Sequence, residues 1–174
     1  MNHDGVNKPA EPPSPKAAAL EQGSGISVVR LLMIREGSLP YGRNPVRNSS
    51  DAARILRSYL AGADREYFVV LLLDAKHRVN GLNVVAIGSL TATIVHPREV
   101  FKPAVIMSAA SIVVGHNHPS GDSSPSRQDM ALTQRLVQAG DLLGIKVLDH
   151  IIVGDGAYIS FADRGLILSD GEER

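Results

Sequence analysis

Tyr67-Phe68-Val69-Val70-Leu71-Leu72-Leu73 is apolar at every position. Side chains of a strand alternate between its two faces. A run that is apolar on both parities therefore needs cover on both sides, as a central strand of a layered sheet has. Together with the mixed order of strands and helices along the chain, this segment reads as part of an α/β architecture. Composition agrees: 44% of the 174 residues are hydrophobic, enough for a core. Aromatic residues are only 4% and Trp is absent, so that core is aliphatic.

The rest of the chain is read around this strand. Residues 1–25 look like a disordered tail, with Pro9, Pro12, Pro13 and Pro15 close together and room for a short helix at Ala17–Gln22. Residues 26–49 form a lead-in, with a candidate strand at Ile26–Arg35 and a Pro/Gly-rich loop. Ser49-Ser50-Asp51 can cap a helix to about Leu60, with Ala52, Ile55 and Leu56 on its buried stripe. After Tyr67–Leu73, a turn at Asp74–Arg78 leads to an antiparallel partner at Val84–Gly88. Pro97 opens a helix in which Pro103 predicts a kink. Ser111–Gly115 is a short buried strand. Ser124 or Ser126 caps a helix that shows Leu132, Leu136, Ala139 and Leu143 at helical spacing and stops at Gly144. Strands follow at Val147–Val153 and Ala157–Phe161. The compact domain is expected over residues 50–165, with a frayed end at 166–174. The order β-α-β-β-α-β-α-β-β predicts a mixed sheet.

Composition narrows the chemistry. There is no cysteine, which excludes disulfides, thiolate nucleophiles and Cys-ligated zinc. Lys+Arg and Asp+Glu are 18 each, so bulk charge does not favour nucleic acid. Met1-Asn2-His3-Asp4-Gly5 lacks the charged-then-apolar layout of a signal peptide, and no apolar run approaches the roughly 20 residues that span a bilayer. A cytoplasmic protein without membrane partners is expected.

The stretch from His116 to Asp129 carries the chemistry. His116 and His118 are two apart at the end of a buried strand, so both imidazoles can face one side. Asp129 falls in the first turn of the next helix. Two neutral imidazoles and one carboxylate suit zinc, and three protein ligands leave a fourth position open. A hydrolase built on such a centre needs a base and an oxyanion donor. Glu66, at the mouth of the strand Tyr67–Leu73, is the candidate base, with Asp64 a nearby rival. Ser126, three residues before Asp129, is the candidate donor. Taken singly, each has a plainer reading: Ser126 as a helix cap, Glu66 as a solvated strand-start residue.

Jointly, the residues resemble the JAMM motif of the MPN+ (JAB-type) metalloproteases: an upstream Glu, then His-x-His, seven residues, Ser, two residues, Asp. His116-x-His118, Ser126 and Asp129 match that spacing at every step. Within that superfamily the chain looks like the bacterial RadC-type proteins. The resemblance rests on Val95-His96-Pro97-Arg98-Glu99-Val100-Phe101, Gly115-His116-Asn117-His118-Pro119-Ser120-Gly121-Asp122 and Leu148-Asp149-His150-Ile151-Ile152-Val153-Gly154, and covers about Ser50 to Asp163. It implies a curved mixed sheet flanked by helices, the MPN/JAB architecture related to cytidine deaminases. It implies Zn2+ on His116, His118 and Asp129, Ser126 orienting the oxyanion, and Glu66 as the family's upstream Glu. It also implies a short form of the kind found on mobile elements, without the amino-terminal helix-hairpin-helix-like region of full-length RadC proteins.

The implied function is zinc-dependent hydrolysis of peptide or isopeptide bonds. The competing reading is a non-catalytic metal-binding factor in DNA repair or mobile-element biology, with Arg43, Arg47, Arg54 and Arg57 as a local basic patch. A zinc deaminase is excluded by the missing Cys pair, and a serine hydrolase on Ser126 and His118 lacks a Gly-x-Ser-x-Gly turn. Substrate, DNA association, oligomeric state and the parts played by His96, Asp149 and His150 stay open at the level of sequence.

Overall fold

The computed structural model describes residue 29 and residues 31–41, 44–88 and 95–167. The expected tail at 1–25 with its helix at Ala17–Gln22, and residues 168–174 of the expected frayed end, lie outside the described residues. The chain divides into two units, Met1–Leu32 and Met33–Arg174. Of the first, only Val29, Leu31 and Leu32 are described; the architecture below is that of the second.

Its elements run α1 (Ser49–Leu60), β1 (Tyr67–Leu73), β2 (Val79–Ile87), α2 (Pro97–Ile106), β3 (Ser111–Asn117), α3 (Arg127–Leu143), β4 (Lys146–Val153) and β5 (Tyr158–Ser160). The five strands lie in the order β2-β1-β3-β4-β5. The β3–β4 pair is parallel, bridged by α3, and the other three pairs are antiparallel. The fold is thus α/β with a mixed, open sheet. No helix among the described residues is long and apolar enough to cross a membrane.

The two parities of β1 feed two cores. Phe68, Val70 and Leu72 pack with Val100, Phe101 and Ala104 of α2 and Leu132, Leu136 and Val137 of α3. Val69, Leu71 and Leu73 pack with Ala52, Ile55, Leu56 and Leu60 of α1 on the other face. Every residue from Phe68 to Leu73 is buried, as the unbroken apolar run required. Gly115 of β3 lets α1 approach closely. A Cβ there would lie 2.5 Å from Leu56 Cδ1 and 3.0 Å from the Ile151 carbonyl oxygen.

Four expectations are corrected. The strand at Ile26–Arg35 does not form at the described residues 29 and 31–35, and Ile34 is 83% exposed. Apolar composition alone supplies no ladder. Helix α1 is capped by Asn48, whose side chain accepts from Asp51 N, while Ser49 Oγ instead donates to Asp163 Oδ2. Strand β2 starts at Val79 rather than Val84, because pairing with Leu71, Leu72 and Leu73 draws Gly81 and its neighbours into the ladder. Strand β3 runs to Asn117, two residues past its expected end, which carries His116 into the sheet itself.

Candidate metal centre

His116 ends the buried face of β3 directly beside Phe68 of β1, in register and stacked on its ring at 5.9 Å. His118 follows in the turn that leaves the strand. Its N–H still bonds the Val153 carbonyl at 3.0 Å, so the ladder with β4 holds this residue too. The turn closes through Gly121, whose N–H reaches the His118 carbonyl at 2.9 Å. Gly121 has φ +81°, a left-handed conformation that glycine adopts without steric cost.

Asp129 arrives from α3. Ser126 is the N-cap, and its hydroxyl accepts from Asp129 N at 3.1 Å. Asp129 Oδ2 in return accepts from Ser126 N at 2.7 Å. This reciprocal capping box ties the carboxylate to the helix start and turns Oδ1 the other way. The side chain is 1% exposed, and Oδ1 accepts no hydrogen bond among the described residues. It lies 3.4 Å from His116 Nε2, while Asp129 Oδ2 lies 3.9 Å from His118 Nε2.

The hydrogen-bond partners favour one tautomer for each imidazole. His118 Nδ1 lies 2.5 Å from the Asp122 carbonyl, which can only accept, so Nδ1–H donates and the neutral ring presents Nε2 as its acceptor. The Thr133 hydroxyl donates to the Asp129 carbonyl at 2.7 Å. With the proton placed there, its oxygen accepts from His150 Nδ1, 2.6 Å away. This leaves His150 Nε2 as an acceptor for His116 Nδ1–H at 2.9 Å. In that arrangement His116 Nε2 is an acceptor as well, 3.0 Å from His118 Nε2.

Three acceptors thus converge with no donor among them: two imidazole nitrogens and an orphaned carboxylate oxygen. Such a donor set suits a cation. A tetrahedral zinc with bonds of about 2.0–2.2 Å has ligand–ligand edges of about 3.3–3.6 Å; the two imidazole nitrogens are 3.0 Å apart and His116 Nε2 is 3.4 Å from Oδ1, near that value, while His118 Nε2 meets the carboxylate at Oδ2, 3.9 Å away. Glu66 also approaches the two imidazoles. Its carboxylate and the two imidazoles have ligand atoms all within 4.8 Å of one another. The centre is buried at His116 and open at His118, whose side chain is 19% exposed.

Burial pushes His116 down to about 4 from its ordinary value of 6.5, the Asp129 charge opposing and His118 assisting. Burial, with His116 and His118 nearby, also holds His150 well below 6.5. Both are neutral imidazoles at physiological pH, the state that binds metal.

The structure groups Glu66 with His116 and His118, and sets Asp129 beside the same two histidines. Ser126 holds Asp129, in keeping with its plainer reading as a cap, and its hydroxyl proton is not used by that cap. His96 stands apart as the N-cap of α2, accepting from Arg98 N at 3.3 Å. Asp149 is buried; it accepts from His150 N, Ser160 Oγ and Ala162 N, and burial raises its carboxyl above the usual range. Of the basic residues, Arg54 pairs with Asp51 at 3.0 Å and lies over the Tyr41 ring, and Arg57 lies over Tyr158. Arg43 lies outside the described residues.

Two residues escaped the sequence reading. Thr133 sits one turn past Asp129, an (i, i+4) relation that sequence could have supplied. Asn117, between the two histidines, bonds the backbone on both sides of Glu66. No local sequence signal announces that contact.

The family model of the RadC-like JAB domain matches residues 46–166. A UPF0758 protein of Geotalea uraniireducens is 59% identical over 103 residues, covering 59% of this chain and 45% of the relative. One from Rubrobacter xylanophilus is 45% identical over 150 residues, covering 86% of this chain and 62% of the relative. One from Methanosarcina mazei is 47% identical over 125 residues, covering 72% and 55%. The chain thus spans roughly half to three-fifths of the length of these relatives. With more than half of its residues matched, this chain belongs to the RadC-like JAB domain family.

Proposed function

We propose that this domain is a zinc-dependent hydrolase of amide bonds, acting on a peptide or isopeptide in a cytoplasmic setting. The observation that supports it best is the gathering of His116 Nε2 and His118 Nε2 with two carboxylates, Asp129 and Glu66. His116, His118 and Asp129 would hold the ion. When bound, zinc supplies a Lewis acid that lowers the pKa of water from about 16 towards roughly 7.

The chain's own residues supply the rest. Glu66 takes the proton from the attacking water and returns it to the leaving amine, a transfer in which one carboxylate serves as base and then acid. The Ser126 hydroxyl, whose oxygen accepts in the cap, keeps its proton to donate to the developing oxyanion; one such donor typically contributes about 100-fold to 1000-fold in rate. Phe68, stacked on His116, excludes water from the inner side of the centre. The half-exposed side at His118 admits substrate.

The test is metal analysis of the full chain purified without chelator, followed by a panel of fluorogenic peptides and isopeptide-linked dimers. About one zinc per chain, and cleavage lost in Glu66→Gln, are expected. A chain that takes up no zinc, or a Glu66→Gln variant that cleaves as fast as the parent, overturns the reading.

A further inference from the structure

The buried chain Asp129 carbonyl–Thr133–His150–His116 has a direction. The carbonyl cannot donate, so the only proton on Thr133 Oγ1 is committed to it. The contact of 2.6 Å to His150 Nδ1 is then made by the imidazole proton. His150 Nε2 can only accept, and His116 Nδ1 must donate across 2.9 Å. Each assignment follows from placing the Thr133 proton on the Asp129 carbonyl; the opposite placing reverses the chain and sets a proton between His116 Nε2 and His118 Nε2, 3.0 Å apart. The orientation starts at the backbone of one acidic residue of the centre and ends by baring Nε2 of a histidine on the other side of it.

Water cannot substitute for any of these partners. His116 and His150 are fully buried, and Thr133 is 1% exposed. The His150 ring is stacked on Phe161 at 4.7 Å and meets the edge of Phe68 at 5.6 Å. A ring so enclosed neither rotates freely nor finds another partner.

We propose that Thr133 and His150 are positioning residues that set the proton of His116 on Nδ1 and so present Nε2 to the metal. The proposal rests on the metal reading given above, but its core concerns the protein without metal. Replacing the Thr133 hydroxyl by a methyl group would remove the acceptor for His150 Nδ1–H. The proton of His150 then gains by moving to Nε2, where it donates to His116 Nδ1. His116 in turn carries its proton on Nε2, pointing at His118 and Asp129, and is lost as a ligand until that proton leaves. Metal-ligand partners of this kind typically change affinity about 10-fold to 100-fold.

The test uses the full chain as parent, Thr133→Val, Thr133→Ser and His150→Gln. Long-range 1H–15N spectra of the imidazoles in chelator-treated protein at pH 8 report which nitrogen is bare. Competition with a chromogenic chelator reports zinc affinity. The expected result is a bare Nε2 on His116 in the parent and in Thr133→Ser, and a bare Nδ1 in Thr133→Val. Zinc affinity should fall about 10-fold to 100-fold in Thr133→Val, return in Thr133→Ser, and fall less in His150→Gln, whose amide oxygen can still accept from His116 Nδ1. An unchanged His116 tautomer in Thr133→Val overturns the relay, even if that variant melts at a lower temperature. A tautomer that switches while the parent binds no zinc upholds the relay and overturns the metal reading instead.

Discussion

Asn117 grips the peptide on either side of Glu66: its Oδ1 accepts from Tyr67 N at 2.9 Å and its Nδ2 donates to the Arg65 carbonyl at 2.9 Å. The residue between the two histidines thereby fixes the backbone that carries the proposed base. Gly88 N bonds the Glu66 carbonyl at 2.8 Å from the other side. Glu66 is thus held between β3 and the end of β2, although more than twenty residues separate it from Gly88 and about fifty from Asn117.

Asn117→Ala should therefore leave an amide and a carbonyl without partners. Each such group costs about 1–3 kcal/mol where water cannot reach it. Urea unfolding is expected to show a loss of about 2–4 kcal/mol on that basis, with zinc content retained and turnover reduced. Asn117→Asp should be worse, because a carboxylate oxygen would face the Arg65 carbonyl. Equal stability of Asn117→Ala and the parent would show that the grip is unimportant.

Glu66→Gln and Asp129→Asn separate the two acidic groups of the centre. Asp129 has its orphaned Oδ1 aimed at His116, so the amide variant is expected to lose zinc on dialysis. Glu66→Gln is expected to keep it and to lose turnover. Metal analysis of the two variants side by side checks this, and the reverse pattern would make Glu66 the ligand.

Ser126→Ala removes the hydroxyl that accepts from Asp129 N. Loss of a cap typically costs about 0.5–2 kcal/mol. Because Asp129 is a member of the same box, zinc affinity should fall with stability. Ser126→Asn should restore the cap and the affinity, yet not the rate. Thermal melts, chelator competition and turnover read these three quantities.

The metal-free protein should lose stability on mild acidification. His116 is lowered to about 4 and His150 well below 6.5. In the unfolded chain both titrate near 6.5. Below that pH the unfolded chain binds protons that the folded chain refuses, so stability falls as pH drops from 6.5 towards 4. Each histidine contributes about 1.4 kcal/mol per pH unit. Asp149, raised by burial above 3.8, binds its proton first in the fold and offsets part of this loss at the acidic end. Urea unfolding across pH 7.5 to 4.5 measures the slope, and a flat profile would contradict it.

Much of this protein was legible in its sequence because the signals are local. The unbroken apolar run Phe68–Leu73 demanded a layer on each face, and both layers are there. The alternation of His116 and His118 and the capping-box spacing of Ser126 and Asp129 follow from strand and helix periods. The candidate strand at Ile26–Arg35 shows the limit of composition, since a strand exists only with a partner.

The tertiary structure decided what periodicity could not. A register shift between Ile112 and Val113 lets Val147 face the α2–α3 core while Ile151 and Val153 face α1. Regular alternation from Val147 would have turned His150 towards α1. The extra residue at Leu148 turns it instead towards His116 and Thr133, because a one-residue slip moves every following side chain to the other face. The residue types of the centre are a property of the sequence. The direction of its protons, and the grip of Asn117 on Glu66, depend on strands meeting in one register, an outcome of long-range packing.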